Sequence, residues 1–256
     1  MAVLFTTTDN VITCGTADTL LTENGACSVS CWVYPFSTGS SNLATIISRL
    51  TDDGTAGIHM RLNATSAVAV RVLGATALLH LTTNSTISLN SWQHILLTWN
   101  GTTAASQAKI YINGVEPNYQ TTTNGSALRN NIGATTRIGV IDSNIRSFDG
   151  YIDEMAVWNA VIGAGSITTL SASRVKGIPM RVETANLVSY WPMDDVAVGV
   201  SGDGATFRDR QGTNTGTGSN GTADTGCIGT QHEVISYLLA NDKKFPRGIS
   251  RGICRL

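Results

Sequence analysis

Apolar and polar positions alternate with a period of two along most of this chain. Ile58, Met60 and Leu62 alternate with His59 and Arg61, and Val68, Val70 and Val72 with Ala69 and Arg71. That is the pattern of strands with one buried face. SWQHILLTWNG, from Ser91, is a short apolar run closed by Asn and Gly, a well-covered strand ending in a turn. In AKIYINGVEP, Ile110 and Ile112 alternate with Lys109 and Tyr111, and Asn113-Gly114 supplies the positive-φ pair of a tight hairpin. TRIGV gives a further short strand, and FDGYIDEMAVWNAVI a longer one that is partly apolar on both faces. Upstream, VLFTTTDNVITCG predicts two short strands around a polar bend, and Cys27 to Pro35, ATIISRL and LLHL predict three more.

The period changes once, at GAGSITTLSASR, where Ser166 is placed to cap a helix of one or two turns with Ile167 and Leu170 on one side. LVSYWPMDD then returns to strand character until Pro192 stops ladder pairing. A long Gly/Asp/Thr/Asn loop is expected from Val196 to Gly226, and HEVISYLL reads as a last strand. Antiparallel β-sheet with one short helix is the fold class this predicts.

Composition agrees. Only 14% of the 256 residues are charged, against roughly 25% in ordinary soluble domains. Ser, Thr, Asn and 26 Gly fill the deficit, which suits a turn-rich β protein of one large domain. Seventeen basic and 18 acidic residues give a formal net charge of −1. No global field draws such a chain to nucleic acid or an anionic membrane. No apolar run approaches the ~20 residues of a spanning helix, and MAVLFTTTDN lacks the regions of a signal peptide; cytoplasmic synthesis is the expectation. Five cysteines, Cys14, Cys27, Cys31, Cys227 and Cys254, are odd in number and irregular in spacing, so no disulfide framework is expected. Cys27 and Cys31 share a strand face with Val29 and Val33 and read as core residues.

Several motifs also resemble a known family. Trp92-Gln93-His94, Trp99-Asn100-Gly101 and Ile110-Tyr111-Ile112-Asn113-Gly114 are similar to the centre of laminin-G-like, concanavalin-A-like lectin/glucanase domains. Arg137-Ile138-Gly139, Phe148 to Glu154 and Val157-Trp158-Asn159 are similar to the closing strands, and Val29 to Pro35 to an early one. The resemblance covers roughly residues 1 to 175 and implies a jelly-roll β-sandwich. Tyr190 to Asp195 and Arg208 to Gly212 resemble the segment that usually opens such domains. Its late position implies a permuted strand order, with Leu187 to Met193 beside the N-terminal strand; an extra strand or an appended lobe is the alternative. The domain reading is a sandwich over 1–240, with 187–240 as its permuted closing segment, and a basic arm over 241–256. The resemblance also implies that Trp32, Trp92, Trp99 and Trp158 are structural.

Catalytic chemistry finds little support. Asp153 and Glu154 are adjacent carboxylates, which strand alternation sends to opposite faces, whereas a retaining glycosidase needs two about 5–5.5 Å apart. Asp149 is a further carboxylate that an earlier strand start would bring to the side of Asp153. His59, His80, His94 and His232 lie in apparent strands without a hydrolase or zincin signature. The chain reads as a non-enzyme. Asp194, Asp195, Asp203 and Asp209 lie in or beside one Gly-rich loop, and Asp52-Asp53-Gly54 forms another acidic turn. Hard oxygen donors on flexible loops suit calcium, and turn chemistry alone also explains them. Lys243, Lys244, Phe245, Arg247, Arg251 and Arg255 make the C-terminal segment a candidate docking arm.

A rigid β domain without a catalytic constellation acts by binding. The resemblance extends to domains carried by bacteriophage structural proteins, which implies a capsid decoration or accessory protein on the virion surface, synthesised in the host cytoplasm. Its expected partner is a major capsid or other virion protein. Edge strands with few charges to blunt them add an expectation of homo-oligomers. The alternative is a lectin-like module that binds a glycan.

Overall fold

The computed structural model describes residues 2–5, 10–16, 20–21, 25–51, 54–141, 146–172, 178–196 and 201–219. Two antiparallel sheets face each other. The first is built from β1 (Val3–Phe5), β3 (Cys27–Pro35), β8 (Gln93–Trp99), β9 (Ala108–Ile112), β13 (Gly150–Trp158) and β14 (Leu187–Trp191). Its order is β1-β13-β3-β8-β9, with β14 also paired to β13. The second contains β2 (Val11–Thr13), β4 (Thr45–Leu50), β5 (Gly57–Leu62), β6 (Val68–Thr76), β7 (Leu78–Thr82), β10 (Tyr119–Thr123), β11 (Ser126–Leu128), β12 (Thr135–Ile138), β15 (Thr206–Phe207) and β16 (Gly216–Ser219). It runs β10-β7-β6-β5-β4-β12-β2-β16-β15, with β11 on β6.

The core lies between the sheets, where the alternation puts it. Val29, Cys31, Val33, Ile95, Leu97 and Ile152 from one sheet meet Ile58, Met60, Leu62, Val70 and Val72 from the other. Side chains of this size contribute roughly 1.5–3 kcal/mol each when fully buried. Trp99, Trp158 and Trp191 are fully buried and spend their indole N–H groups on the Thr102, Val182 and Asn214 carbonyls. Cys14, Cys27 and Cys31 are buried free thiols, and burial pushes the Cys27 thiol up to about 12. They act as small hydrophobes, not nucleophiles.

Three expectations change on contact with the structure. The first is the hairpin at Asn113-Gly114. Both residues take positive φ, 51° and 82°, as a two-residue turn requires, but the returning chain makes only the Ile112–Val115 bridge. Pro117 has no N–H to give a ladder, and the chain crosses to the second sheet as β10. On the way the Tyr119 hydroxyl accepts from Ile110 N–H at 2.9 Å, closing the outer edge of β9.

Second, the helix α1 (Ala164–Ser171) is capped by Gly163 rather than Ser166, and without a side-chain cap of its own. Glu183 supplies the acceptor from a distance: its Oε1 takes the Gly163 N–H at 2.7 Å and the Ser166 hydroxyl at 2.5 Å. Ile167 and Leu170 do face inward, onto Leu96, Trp158 and Leu187. Third, the loop expected after Val196 contains the β15–β16 hairpin, which adds to β2 because Phe207 has the core to enter. His59 is buried on the outward side of β5, opposite the core positions Ile58 and Met60.

The late strand β14 lies along β13 from Trp158 to Met155, and β1 continues along the same edge from Ile152 to Gly150. Both run antiparallel to β13, so β14 leads into β1 as two halves of one edge strand. The break falls at Asp153-Glu154, where β13 bulges. Among the described residues no helix is long and apolar enough to cross a membrane. HEVISYLL and the basic arm from Lys243 to Arg255 lie outside the described residues, as do Asp52 and Asp53.

Candidate functional site

Strand parity places the site. On β3, Cys31 and Val33 point inward, so Trp32 and Tyr34 point out. Tyr151 of β13 is the direct partner of Tyr34, and Asp153 and His94 flank Trp32 on its two sides. Directly paired residues share a face. Phe36, just after β3, and Trp92, just before β8, fold onto the same patch.

The rings meet mostly at their edges. Tyr34 has its centroid 5.6 Å from that of Trp92, 5.7 Å from Phe36 and 6.1 Å from Tyr151. Phe36 and Tyr151 cross at 81° with centroids 5.3 Å apart. This is the edge-to-face geometry that aromatic quadrupoles favour. Trp32 lies 5.3 Å from the His94 ring. Trp32, Tyr34, Phe36 and Trp92 all remain partly exposed, and Tyr151 closes the floor. Part of this outer face is covered by α1 and Val182, which pack on Leu96, Ala156 and Trp158, and the aromatic rings lie outside that cluster.

Polar groups line the patch. His94 is buried, and burial lowers its imidazole to about 3, so it is neutral and shares a 2.8 Å hydrogen bond with the Ser30 hydroxyl. Ser37 donates to Asp149 at 2.5 Å. Glu154 sits at the bulge with φ 51°, and Tyr190 donates to its Oε2 at 2.5 Å. Burial, with Glu154, Asp153 and Asp194 nearby, pushes the Tyr190 phenol up, so it stays protonated and donating. The bulge also corrects the strand-alternation premise: Asp153 pairs with outward-facing Trp32, and Glu154 reaches outward-facing Tyr190, so both serve one face.

The loop aspartates do different work from one another. Asp209 accepts from the backbone N–H groups of Tyr190, Gln211, Gly212 and Asn214 and from the Ser189 hydroxyl, all within 2.7–3.0 Å. A carboxylate has about four lone-pair sites, so this one is filled by the loop it holds. Asp195 accepts from Arg208 N–H at 2.8 Å and from Arg210 at 2.9 Å, and Asp194 is 3.4 Å from the same guanidinium. Asp203 is exposed. Among the described residues no three His, Cys, Asp or Glu side chains gather as a metal-binding group.

Two signals in the sequence point to the aromatic patch. Trp32 and Tyr34 sit two apart on a strand whose other face is apolar, and Tyr151 stands in the strand that must pair with it. The four tryptophans expected to be structural divide: Trp99 and Trp158 are core, whereas Trp32 and Trp92 are partly exposed on the outer face.

The family model described as the concanavalin A-like lectin/glucanases superfamily matches residues 6–168. A candidate carbohydrate-binding protein from Bacteroides ovatus is 17% identical, with a TM-score of 0.54 over 87% of this chain. The chain spans 58% of the length of that protein. A heptameric SAP-like pentraxin from Limulus polyphemus is 18% identical, with a TM-score of 0.44 over 66% of this chain and 83% of its own. The botulinum neurotoxin serotype G binding domain is 18% identical, with a TM-score of 0.45 over 59% and 37%. No curated protein matches.

Proposed function

The chain belongs to the concanavalin A-like lectin/glucanase superfamily, and from that premise we propose that it is a carbohydrate-binding module whose ligand stacks on the outer face of the six-stranded sheet. The observation that carries this is the partly exposed aromatic patch of Trp32, Tyr34, Phe36 and Trp92. Pyranose rings present C–H faces that pack on aromatic faces, and a rigid edge-to-face cluster loses little entropy on binding. Asp149, beside Phe36, and Glu154, next to Asp153 at the β13 bulge, bring carboxylate acceptors for hydroxyl groups near the patch. The description of the Bacteroides ovatus protein as carbohydrate binding supports the same reading.

Attachment to a virion surface as a decoration protein, with a capsid partner and self-assembly, is a role such a module can serve. Its support is the resemblance to phage structural proteins and the basic arm outside the described residues. Glycan binding has the patch itself.

A glycan array tests the proposal. The protein binds one glycan class reproducibly, and Tyr34→Ala and Trp92→Ala each weaken that binding at least ~10-fold, about 1.4 kcal/mol, while melting as cooperatively as the parent. Absence of binding to every glycan, or affinities untouched by both changes, overturns it.

A further inference from the structure

The opposite outer face, on the ten-stranded sheet, carries a different chemistry. Across β5 and β6 His59 pairs directly with Arg71, and across β4 and β5 Thr45 pairs with Arg61. Ile58, Met60 and Leu62 of β5 enter the core, so these four side chains stand together on the outside. Arg146 joins them: Thr45 N–H donates to its carbonyl at 2.9 Å. The Arg146 and Arg71 guanidinium groups are close enough to act electrostatically on both Arg61 and His59.

Among the described residues this cluster is uncompensated. None of Arg61, Arg71 and Arg146 forms an ion pair with a carboxylate among the described residues. Beneath them the Thr45 hydroxyl, both ring nitrogens of His59 and the Nε of Arg61 are buried without a hydrogen-bond partner. Thr45 and His59 are 0% and 1% exposed. Buried polar groups in folded proteins are ordinarily satisfied, and half-buried arginines ordinarily have a counter-charge. Both deficits point to one missing partner of negative charge with several acceptor atoms.

We propose that this face binds a tetrahedral oxyanion, a phosphate or sulfate group, held by Arg61, Arg71 and Arg146 over Thr45 and His59. Guanidinium forks match the oxygen pairs of such groups, and three or four oxygens meet more of the converging donors than the two of a carboxylate. His59 is held neutral by burial and by the arginines around it, its imidazole well below the ordinary histidine range. It therefore brings one N–H donor without a further positive charge. The proposal stands apart from the carbohydrate reading, because the two faces lie on opposite sides of the core.

Isothermal titration with inorganic phosphate, at ionic strength balanced with sodium chloride, tests it. The parent binds one equivalent saturably, and Arg61→Gln and Arg71→Gln each weaken binding at least tenfold while unfolding in a single transition. Thr45→Val weakens it several-fold, and it serves as the informative variant if an arginine change prevents folding. No saturable binding by the folded parent overturns the proposal, as does unchanged affinity in the folded variants. A parallel titration with mannose 6-phosphate separates the sources. Tighter binding than inorganic phosphate places the anion on a sugar, and equal or weaker binding leaves the free ion as ligand; either result upholds the site.

Discussion

His94 lies on β8 with its ring against that of Trp32. The alternation on β8 makes it a polar position, yet it lies beneath Trp32 with its charge suppressed. Its folded imidazole titrates near 3 because burial disfavours the cation, while an unfolded histidine titrates near 6.5. Between those values the unfolded chain holds the extra proton, so stability is complete above pH ~6.5 and falls as pH drops towards 3. From pH 6 to pH 4 this residue alone removes about 2–3 kcal/mol. His59, lowered in the same direction, adds to the slope. Denaturant unfolding of the parent and of His94→Gln at the two pH values checks it: the variant loses less stability over that interval by about that amount. Parallel losses would assign the acid sensitivity elsewhere.

At the scale of elements, the strands were legible because one face of each must be apolar to meet the core, and β3, β5, β6, β8 and β13 could be read from that alone. What escaped was set by contacts distant in sequence. The period-two rule cannot reveal the bulge at Glu154, because only the split between β14 and β1 on the neighbouring edge makes room for it. Nor does GAGSITTLS show that its acceptor comes from Glu183. The Asp209 loop is the clearest case, since turn chemistry and calcium chemistry ask for the same residue types. Gly212 records the constraint: a Cβ there would lie 2.8 Å from Asp209 Oδ2 and 2.5 Å from the Val188 carbonyl. Asp209→Asn converts an acceptor of five hydrogen bonds into one whose amide faces N–H donors, at a cost of roughly 2–3 kcal/mol. The hub role requires the melting temperature to drop by the same amount with calcium and with chelator. If chelator lowers the melting temperature of the parent itself, the aspartates hold an ion.

The whole molecule presents two outer faces of opposite character, separated by a core in which Val29, Val33, Ile58 and Met60 interdigitate. One face carries exposed aromatic edges with carboxylates at their border. The other carries arginines that no carboxylate among the described residues answers. A net charge of −1 conceals this division, because composition averages over faces that only the topology separates. Sheets packed face to face stand ~10 Å apart, and sites on their outer sides lie farther apart still, without shared side chains. Effects at such a distance add rather than couple. Saturating phosphate is therefore expected to leave glycan affinity at the aromatic face unchanged within twofold, and Arg61→Gln to leave the glycan profile as it is. Coupling above that level, measured by titrating the glycan with and without phosphate, would mean that a single ligand reaches round the rim to engage both faces. The molecule would then read one long, charged chain instead of two independent groups.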